Sequence, residues 1–373
     1  MITTYPGSAA ARLAACGYGT WCLFLFLPAV IFLHAAILTA QVETVEGPRS
    51  AAVWSSHGRV EGHLSLKASA EGAFSPDSSL LAVASEEKLL LMNLSTSDVH
   101  KVLKPRLPEI EELEIHSASF VGPHQLFVLA NGVFRVKGKA QPFPTPLLAF
   151  QWDTADDKQI GKVDAVGAKG GFTPARYFPQ IGHLAIYKDG NFDLWNPRTG
   201  QGGRITIADL TQIPNIYDFS PDGNWLLLAQ IQTSSTADPT VVALKEHKFV
   251  DSLRGHTGTV LSLAFSRDSK KVVTSCEDGK VRVFSTGDWK LLQTLTGHSG
   301  PVHWAEFSPN GVWIASAGED QTVRVWSVAD GSLLQTLQES QAPVLTVTFS
   351  PDSKFIAASS ENLVHIWQRQ GGN

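Results

Sequence analysis

A long internal repeat is the feature that most constrains what this chain can fold into. Residues 256–284 reappear with the same pattern as residues 298–326. The step is 42 residues, as the shift from His256 to His298 shows, and a third copy follows at the same step around Phe349. A fixed period of this length indicates one supersecondary unit that is used several times and stacks on its neighbours to bury a shared core.

Each copy has the pattern of four short antiparallel strands. In the copy that begins at His298, runs with strand spacing cover residues 302–307, 313–316, 322–326 and 333–337. Turns containing Pro, Gly, Asn and Asp separate the runs, and these residue types suit the dihedral angles of tight turns. Such a sheet has two apolar faces and cannot bury both alone, so the copies must stack.

The two best copies resemble the WD40 family of β-propellers. The match rests on Gly297-His298, FSPNG at 307–311, IASAGED at 314–320 and VRVW at 323–326. Weaker copies lie upstream. The resemblance implies an all-β fold, a seven-bladed β-propeller of four-stranded antiparallel blades. The seven units fall near residues 67–104, 115–165, 172–208, 214–254, 255–296, 297–338 and 339–368.

The last unit lacks a fourth strand, whereas an additional strand pattern precedes the first unit. In the WD40 family, an N-terminal strand completes the final blade. The resemblance therefore predicts that residues 59–66 close the ring, which leaves no free sheet edge between the first and last blades. The propeller is expected to span residues 59–373, behind a linker at 41–58.

The N-terminal segment differs from the rest of the chain. Residues 1–40 contain no Asp or Glu and one basic residue, Arg12, and an apolar run extends over residues 21–38. This pattern is typical of a secretory signal cleaved after Ala40. The run also approaches transmembrane length, so an uncleaved membrane tether through residues 21–38 stays an alternative. Either reading predicts an exported propeller, periplasmic or extracellular, because the lone positive charge precedes the apolar run.

Composition and motifs argue against several function classes. The net charge is −5, which disfavours a non-specific nucleic-acid binder. The sequence has none of the common hydrolase, zinc-protease, phosphate-loop or dinucleotide-binding motifs. No histidine pair has metal-ligand spacing, so we expect no metal site. Because the enzyme motifs are absent too, we expect no cofactor and no enzymatic activity. Cys276 is expected to be a small buried apolar residue.

The WD40 resemblance also implies a structural network in which a Trp N–H, a hydroxyl, a His and an Asp are linked. In the sixth unit these positions hold His298, Ser316, Asp320 and Trp326. In the fifth unit they hold His256, Thr274, Asp278 and Phe284. A brace is favoured over a hydrolase triad, because two units carry the set and satisfied buried polar groups make a fold rigid. The Phe284 side chain has no N–H to donate, so the fifth network should be incomplete.

Two tryptophans are candidates for partner binding. Trp304 stands where the neighbouring units have small residues, near the predicted channel, and Trp289 lies at a turn tip. Either side chain can anchor a partner or simply fill space.

These features predict a non-enzymatic scaffold for protein–protein interaction, with a partner that the sequence does not identify. Work in assembly of a bacterial envelope fits an export signal combined with a propeller. One alternative is a ligand-binding or hydrolytic periplasmic propeller similar to TolB-like proteins. The other alternative is a membrane-tethered, receptor-like propeller.

Overall fold

Strands make up the regular structure of the computed structural model. The described residues are 53–61, 64, 73–85, 88–107, 110–136, 139–140, 147–165, 175–178, 180–188, 191–196, 198–207, 214, 216–229, 238–361 and 363–370. The predicted signal or tether and most of the predicted linker lie outside them. In these described ranges, no helix is long and apolar enough to span a bilayer.

The first half of the chain contributes the strands β1 to β13. They are β1 (Val53–Glu61), β2 (Leu80–Ser85), β3 (Lys88–Asn93), β4 (Val99–Leu103), β5 (Ile110–Gly122), β6 (Gln125–Val136), β7 (Lys139–Ala140), β8 (Leu147–Asp153), β9 (Lys158–Ala165), β10 (Ala175–Phe178), β11 (His183–Lys188), β12 (Asn191–Trp195) and β13 (Gly202–Thr206).

The second half contributes β14 to β28 and has the more regular spacing. The strands are β14 (Ile216–Phe219), β15 (Trp225–Ala229), β16 (Thr240–Ala243), β17 (Lys248–Ser252), β18 (Val260–Phe265), β19 (Lys271–Cys276), β20 (Lys280–Ser285), β21 (Leu291–Thr296), β22 (Val302–Phe307), β23 (Trp313–Gly318), β24 (Val323–Ser327), β25 (Leu333–Leu337), β26 (Thr346–Phe349), β27 (Phe355–Ser360) and β28 (Leu363–Gln370).

Within the described residues, these strands form seven antiparallel sheets, which are the seven blades of a β-propeller. Blades three to six are regular meanders, from β10-β11-β12-β13 to β22-β23-β24-β25. Blade two has the order β5-β6-β8-β9, with β7 paired to β6, and blade seven has the order β26-β27-β28-β1. The seven-bladed prediction is confirmed. Blade one departs from the pattern: it is β2-β3-β4, and the inner position is held by a single bridge between Phe74 and Leu81.

The N-terminal strand closes the ring. β1 pairs antiparallel with β28, from Val53 opposite Gln370 to Glu61 opposite Leu363. Closure by an N-terminal strand is therefore confirmed, but the strand lies at 53–61 rather than 59–66. The reason is the burial of Trp54, which is 2% exposed and fixes the start of the strand. Part of the segment predicted to be a linker is thus sheet.

A side chain of blade six also holds β1. The Gln335 side chain in β25 donates from Nε2 to the carbonyl of Trp54 at 2.7 Å, and its Oε1 accepts from the Trp54 backbone N–H at 2.8 Å. The Trp54 ring packs edge-on against Trp313 and Phe349, with ring centroids 5.8 Å apart in both pairs. The closing strand is therefore anchored to two blades.

Apolar contacts between successive blades form the core. One cluster joins Val281 and Val283 of β20 to Phe307, Ile314 and Trp326 of the next blade. β-Branched residues suit these pleated faces. Because each blade buries one face against each neighbour, the ring holds the inner strands in fixed positions around a central channel.

Candidate functional site: the channel mouth

The channel opens into a cavity at the end where the inner strands turn. Its volume is 410 Å³, and residues of all seven blades line it. Four blades contribute a turn proline to the lining: Pro76, Pro221, Pro309 and Pro351. Arg176, Tyr177 and Arg198 of blade three, Arg267 of blade five and Trp304 of blade six give it charge and an indole surface.

A serine fixes the local geometry in five of these turns. In blade six, Ser308 Oγ donates to Asn310 Oδ1 at 2.7 Å and accepts from the Trp313 backbone N–H at 2.9 Å. The same acceptor bond occurs at Ser75, Ser220, Ser266 and Ser350, with distances of 2.8–2.9 Å. Local side-chain bonds of this kind favour turns over longer strands.

A second set of serines links the turns of neighbouring blades. Ser78, Ser269 and Ser353 have φ near 59°, in the left-handed region that Gly223 and Gly311 occupy in other blades. Their hydroxyls accept backbone N–H bonds from Asp352, Asp222 and Asn310 of the preceding blades, at 3.0–3.2 Å. The strained serine thus supplies a bond between blades that glycine would lack.

Two buried acids lie beneath the mouth. Asp218 and Glu306 are each 4% exposed and each precede the last phenylalanine of an inner strand. Asp218 Oδ2 accepts from the Phe265 backbone N–H at 2.9 Å, and Glu306 Oε1 accepts from the Phe349 backbone N–H at 2.9 Å. Each carboxylate therefore joins its blade to the next one, since buried charge must be paired or hydrogen-bonded.

The sequence interpretation missed these acids. The signal that could have found them is an acidic residue immediately before the Phe-Ser-Pro turn, inside an otherwise apolar strand. A charge in that position must either point to solvent or find partners in the interior. The regular repeat alone gave no reason to choose between these outcomes.

Trp304 lines the channel, the location that the repeat alignment predicted. Its Nε1 donates to Glu306 Oε2 at 3.4 Å. The Arg176 guanidinium lies 5.6 Å from the Trp304 ring centroid and 5.0 Å from that of Phe178, within the range of cation–π contacts. Arg176 Nη1 also donates to the Tyr217 carbonyl at 3.0 Å. Trp304 and Arg176 together narrow the channel from opposite blades.

Trp289 lies away from the channel, in the turn before β21. Its ring meets Trp225 of blade four edge-on at a centroid distance of 5.1 Å, and it has a φ of 55°. This contact places Trp289 over the boundary between blades four and five, where it covers the partly buried Trp225.

In blade six, the four residues of the predicted network form one chain of hydrogen bonds. The Trp326 indole N–H donates to Ser316 Oγ at 2.8 Å, and Ser316 Oγ lies 2.8 Å from His298 Nε2. His298 Nδ1 lies 2.9 Å from Asp320 Oδ1. A carboxylate only accepts, so Nδ1 donates to Asp320 and Nε2 accepts the Ser316 proton.

Burial and hydrogen bonding together decide the charge states of His298 and Asp320. Desolvation lowers the pKa of His298, although the hydrogen bond to Asp320 works in the opposite direction. For Asp320, burial alone would raise the pKa, but the bonds from His298 and Thr322 outweigh it and lower the pKa. A neutral histidine beside a carboxylate is the arrangement that the hydrogen-bond chain requires.

In blade five, the arrangement differs from the prediction. His256 Nε2 accepts from Thr274 Oγ1 at 2.8 Å, but Nδ1 donates to Asp238 of blade four at 3.0 Å. Asp278 is held by Arg282, whose Nη2 and Nη1 lie 2.6 and 3.1 Å from its oxygens. In blade six the corresponding arginine contact, Arg324 to Asp320, is 3.5 Å long. Arg282 therefore binds the carboxylate of Asp278, which was expected to accept a hydrogen bond from His256.

The outer strands expose apolar side chains at a repeated position, here called the rim belt: Phe249, Leu291 and Leu333. They lie on β17, β21 and β25, opposite Val242, Phe284 and Trp326 of the neighbouring strands. Their exposed fractions are 37%, 44% and 42%. A bulge follows each of them. In two of the three places the next residue is exposed as well: Val250 is 44% and Leu292 50% exposed. In blade six the next residue, Leu334, packs partly buried against the core.

No group of three or more His, Cys, Asp or Glu side chains in the described part of the chain could hold a metal ion. Cys276 is a free, buried thiol, and burial raises its pKa to about 11.

The fold and the channel define a seven-bladed β-propeller built from a repeated Phe-Ser-Pro turn. A family model described as "WD domain, G-beta repeat" matches residues 247–285, 289–327 and 331–368. These three consecutive units are WD40 repeats, which confirms the resemblance. Each matched segment contains the outer strand of one blade, followed by three strands of the next blade. No curated protein matches the chain.

Proposed function

We propose that this protein is a non-enzymatic scaffold that binds a protein partner through the rim belt. WD40 propellers commonly mediate protein–protein interaction. The observation that carries the proposal is the recurrence of an exposed apolar residue at one position on three successive blades. Single exposed apolar residues are ordinary, whereas a series of them on a rigid surface favours an interface.

The rigidity of the ring supports this role. β1 closes the last blade, and serine, aspartate and glutamate side chains connect successive blades. A rigid surface loses little conformational entropy when it binds, which favours affinity. The outermost strands also carry unpaired edges that a partner can approach.

A matched pair of variants tests the proposal. The rim variant combines F249S, L291S and L333S, and the control combines T294S and T336S, which change exposed residues on two of the same strands. Each full-length protein is cross-linked in the native host and its bound proteins are identified. We expect the wild type and the control to retain a partner that the rim variant loses. Recovery of the same proteins with the rim variant, or of none with the wild type, would contradict the proposal.

We also propose that the propeller is exported, on the basis of the apolar N-terminal run. Sequencing the N-terminus of the protein recovered from its host tests this point. A start at Gln41 is expected for a cleaved signal. A start at the initiator in the membrane fraction would favour the tethered, receptor-like alternative, and a start there in the cytoplasm would refute export.

A further inference from the structure

We propose that the channel mouth binds a small organic carboxylate with an apolar body, such as an aromatic acid. This site lies inside the ring and is separate from the rim belt. The sequence leaves a ligand-binding propeller as an alternative, and this proposal names the kind of ligand that it would bind. The proposal rests on the size of the cavity, on its arginines and on its apolar lining, which includes Trp304.

The cavity has the dimensions of a ligand site. Its 410 Å³ lies within the range of small-molecule pockets, about 300–1,000 Å³. Its lining includes Trp304, Val121 and Ala264, together with the four turn prolines. An apolar body can therefore be surrounded by apolar surface from several blades.

The charge of the mouth favours an anion. Arg176, Arg198 and Arg267 line it and form no ion pair with a carboxylate of any described residue. The two acids of the lining, Asp218 and Glu306, already accept backbone N–H bonds from the next blades. Arg198, Arg267 and the unpartnered Nε of Arg176 are thus left to a ligand. A guanidinium binds a carboxylate through two parallel hydrogen bonds.

Unused polar atoms sit beside the arginines. Arg176 Nε and Gln180 Oε1 are buried and have no hydrogen-bond partner among the described residues, and both side chains line the cavity. Tyr177 also lines the cavity, and burial raises its pKa to about 12 although Arg198 acts in the opposite direction. Its hydroxyl therefore stays protonated and can donate. A buried group without a partner costs free energy that a bound carboxylate or its water would recover.

Four small molecules distinguish the contribution of the negative charge to binding from that of the apolar body. We would titrate the full-length protein by calorimetry with 3-phenylpropanoate, its neutral amide, acetate and inorganic phosphate. We expect one bound phenylpropanoate per chain, at least tenfold weaker binding of the amide, and no measurable binding of acetate or phosphate. Equal binding of acid and amide would overturn the anion site, and tight phosphate binding would overturn the apolar requirement.

Variants locate the site. R198Q and R267Q change exposed arginines of the lining, and R254Q changes an exposed arginine outside it, at matched charge. R198Q and R267Q are each expected to weaken phenylpropanoate binding at least tenfold, whereas R254Q should stay within twofold of the wild type. Equal weakening by all three would show a general charge effect and refute the site. Unchanged binding in both lining variants, with unchanged melting temperatures, would refute it too.

Discussion

Glu306 Oε1 accepts the backbone N–H of Phe349 at 2.9 Å, so a carboxylate of blade six is bonded to the inner strand of blade seven. The side chain is 4% exposed, and its other oxygen lies 3.4 Å from the Trp304 indole nitrogen. Asp218 makes the equivalent bond to Phe265. In these two places the ring is held by charged hydrogen bonds as well as by apolar packing.

Replacing Glu306 should therefore weaken the ring. E306A leaves the Phe349 N–H buried without an acceptor, and we expect a loss of about 2–3 kcal/mol in the free energy of unfolding. E306Q keeps an acceptor and should lose less. Urea denaturation followed by tryptophan fluorescence measures both. A loss for E306Q as large as that for E306A would contradict the assigned role of the acceptor.

The hydroxyls of Ser316 and Thr274 should contribute different amounts to the free energy of unfolding. S316A removes a group that accepts from Trp326 and bonds His298, and it leaves two buried partners unsatisfied. T274V removes the partner of His256 alone, because the Phe284 side chain has no N–H to donate to Thr274. We expect losses of about 2–3 kcal/mol for S316A and about 1 kcal/mol for T274V. Equal urea midpoints for the two variants would refute this difference.

The closing strand should depend on Trp54. W54A removes a ring that is 2% exposed and packs on Trp313 and Phe349. A buried Trp-to-Ala change costs about 3–5 kcal/mol, whereas W54F should cost less. Hydrogen exchange reports the site of the damage, because amide protection should fall first in β1 and β28. Uniform loss across all blades would argue against a local role in closure.

Stability should decrease as the solution becomes acidic. The folded pKa values of His256 and His298 lie below 6.5, so the unfolded chain binds protons more readily. Their contribution is complete above about pH 6.5 and is lost as the pH falls through the folded pKa values. Asp278 and Asp320 also have lowered pKa values, and they extend the loss below pH 4.

The melting temperature measured between pH 8 and pH 5 tests this dependence. H298Q should be less stable at pH 8 and show a weaker dependence on pH. H100Q, which changes an exposed histidine of β4, should follow the wild type. A melting temperature that rises toward pH 5, or an unchanged slope in H298Q, would contradict the prediction.

Much of the architecture could be predicted from the sequence because its repeat is strongly periodic. The 42-residue step, the Phe-Ser-Pro turns and the alternating strands gave the number of blades, and the WD40 resemblance implied closure by an N-terminal strand. The exact closing strand was missed because the apolar pattern continues past it to Leu64, which is buried beyond the end of β1. Trp54 is buried by residues of blades six and seven, and the sequence around Trp54 does not reveal those contacts.

The sequence by itself determined which elements form, since strand spacing and turn residues act over a few positions. Tertiary structure alone decided which polar groups meet. Arg282 holds Asp278 and leaves His256 to Asp238 of another blade, and residues of seven separate units surround one cavity. Such contacts depend on distances across the closed ring, and spacing along the chain does not encode them.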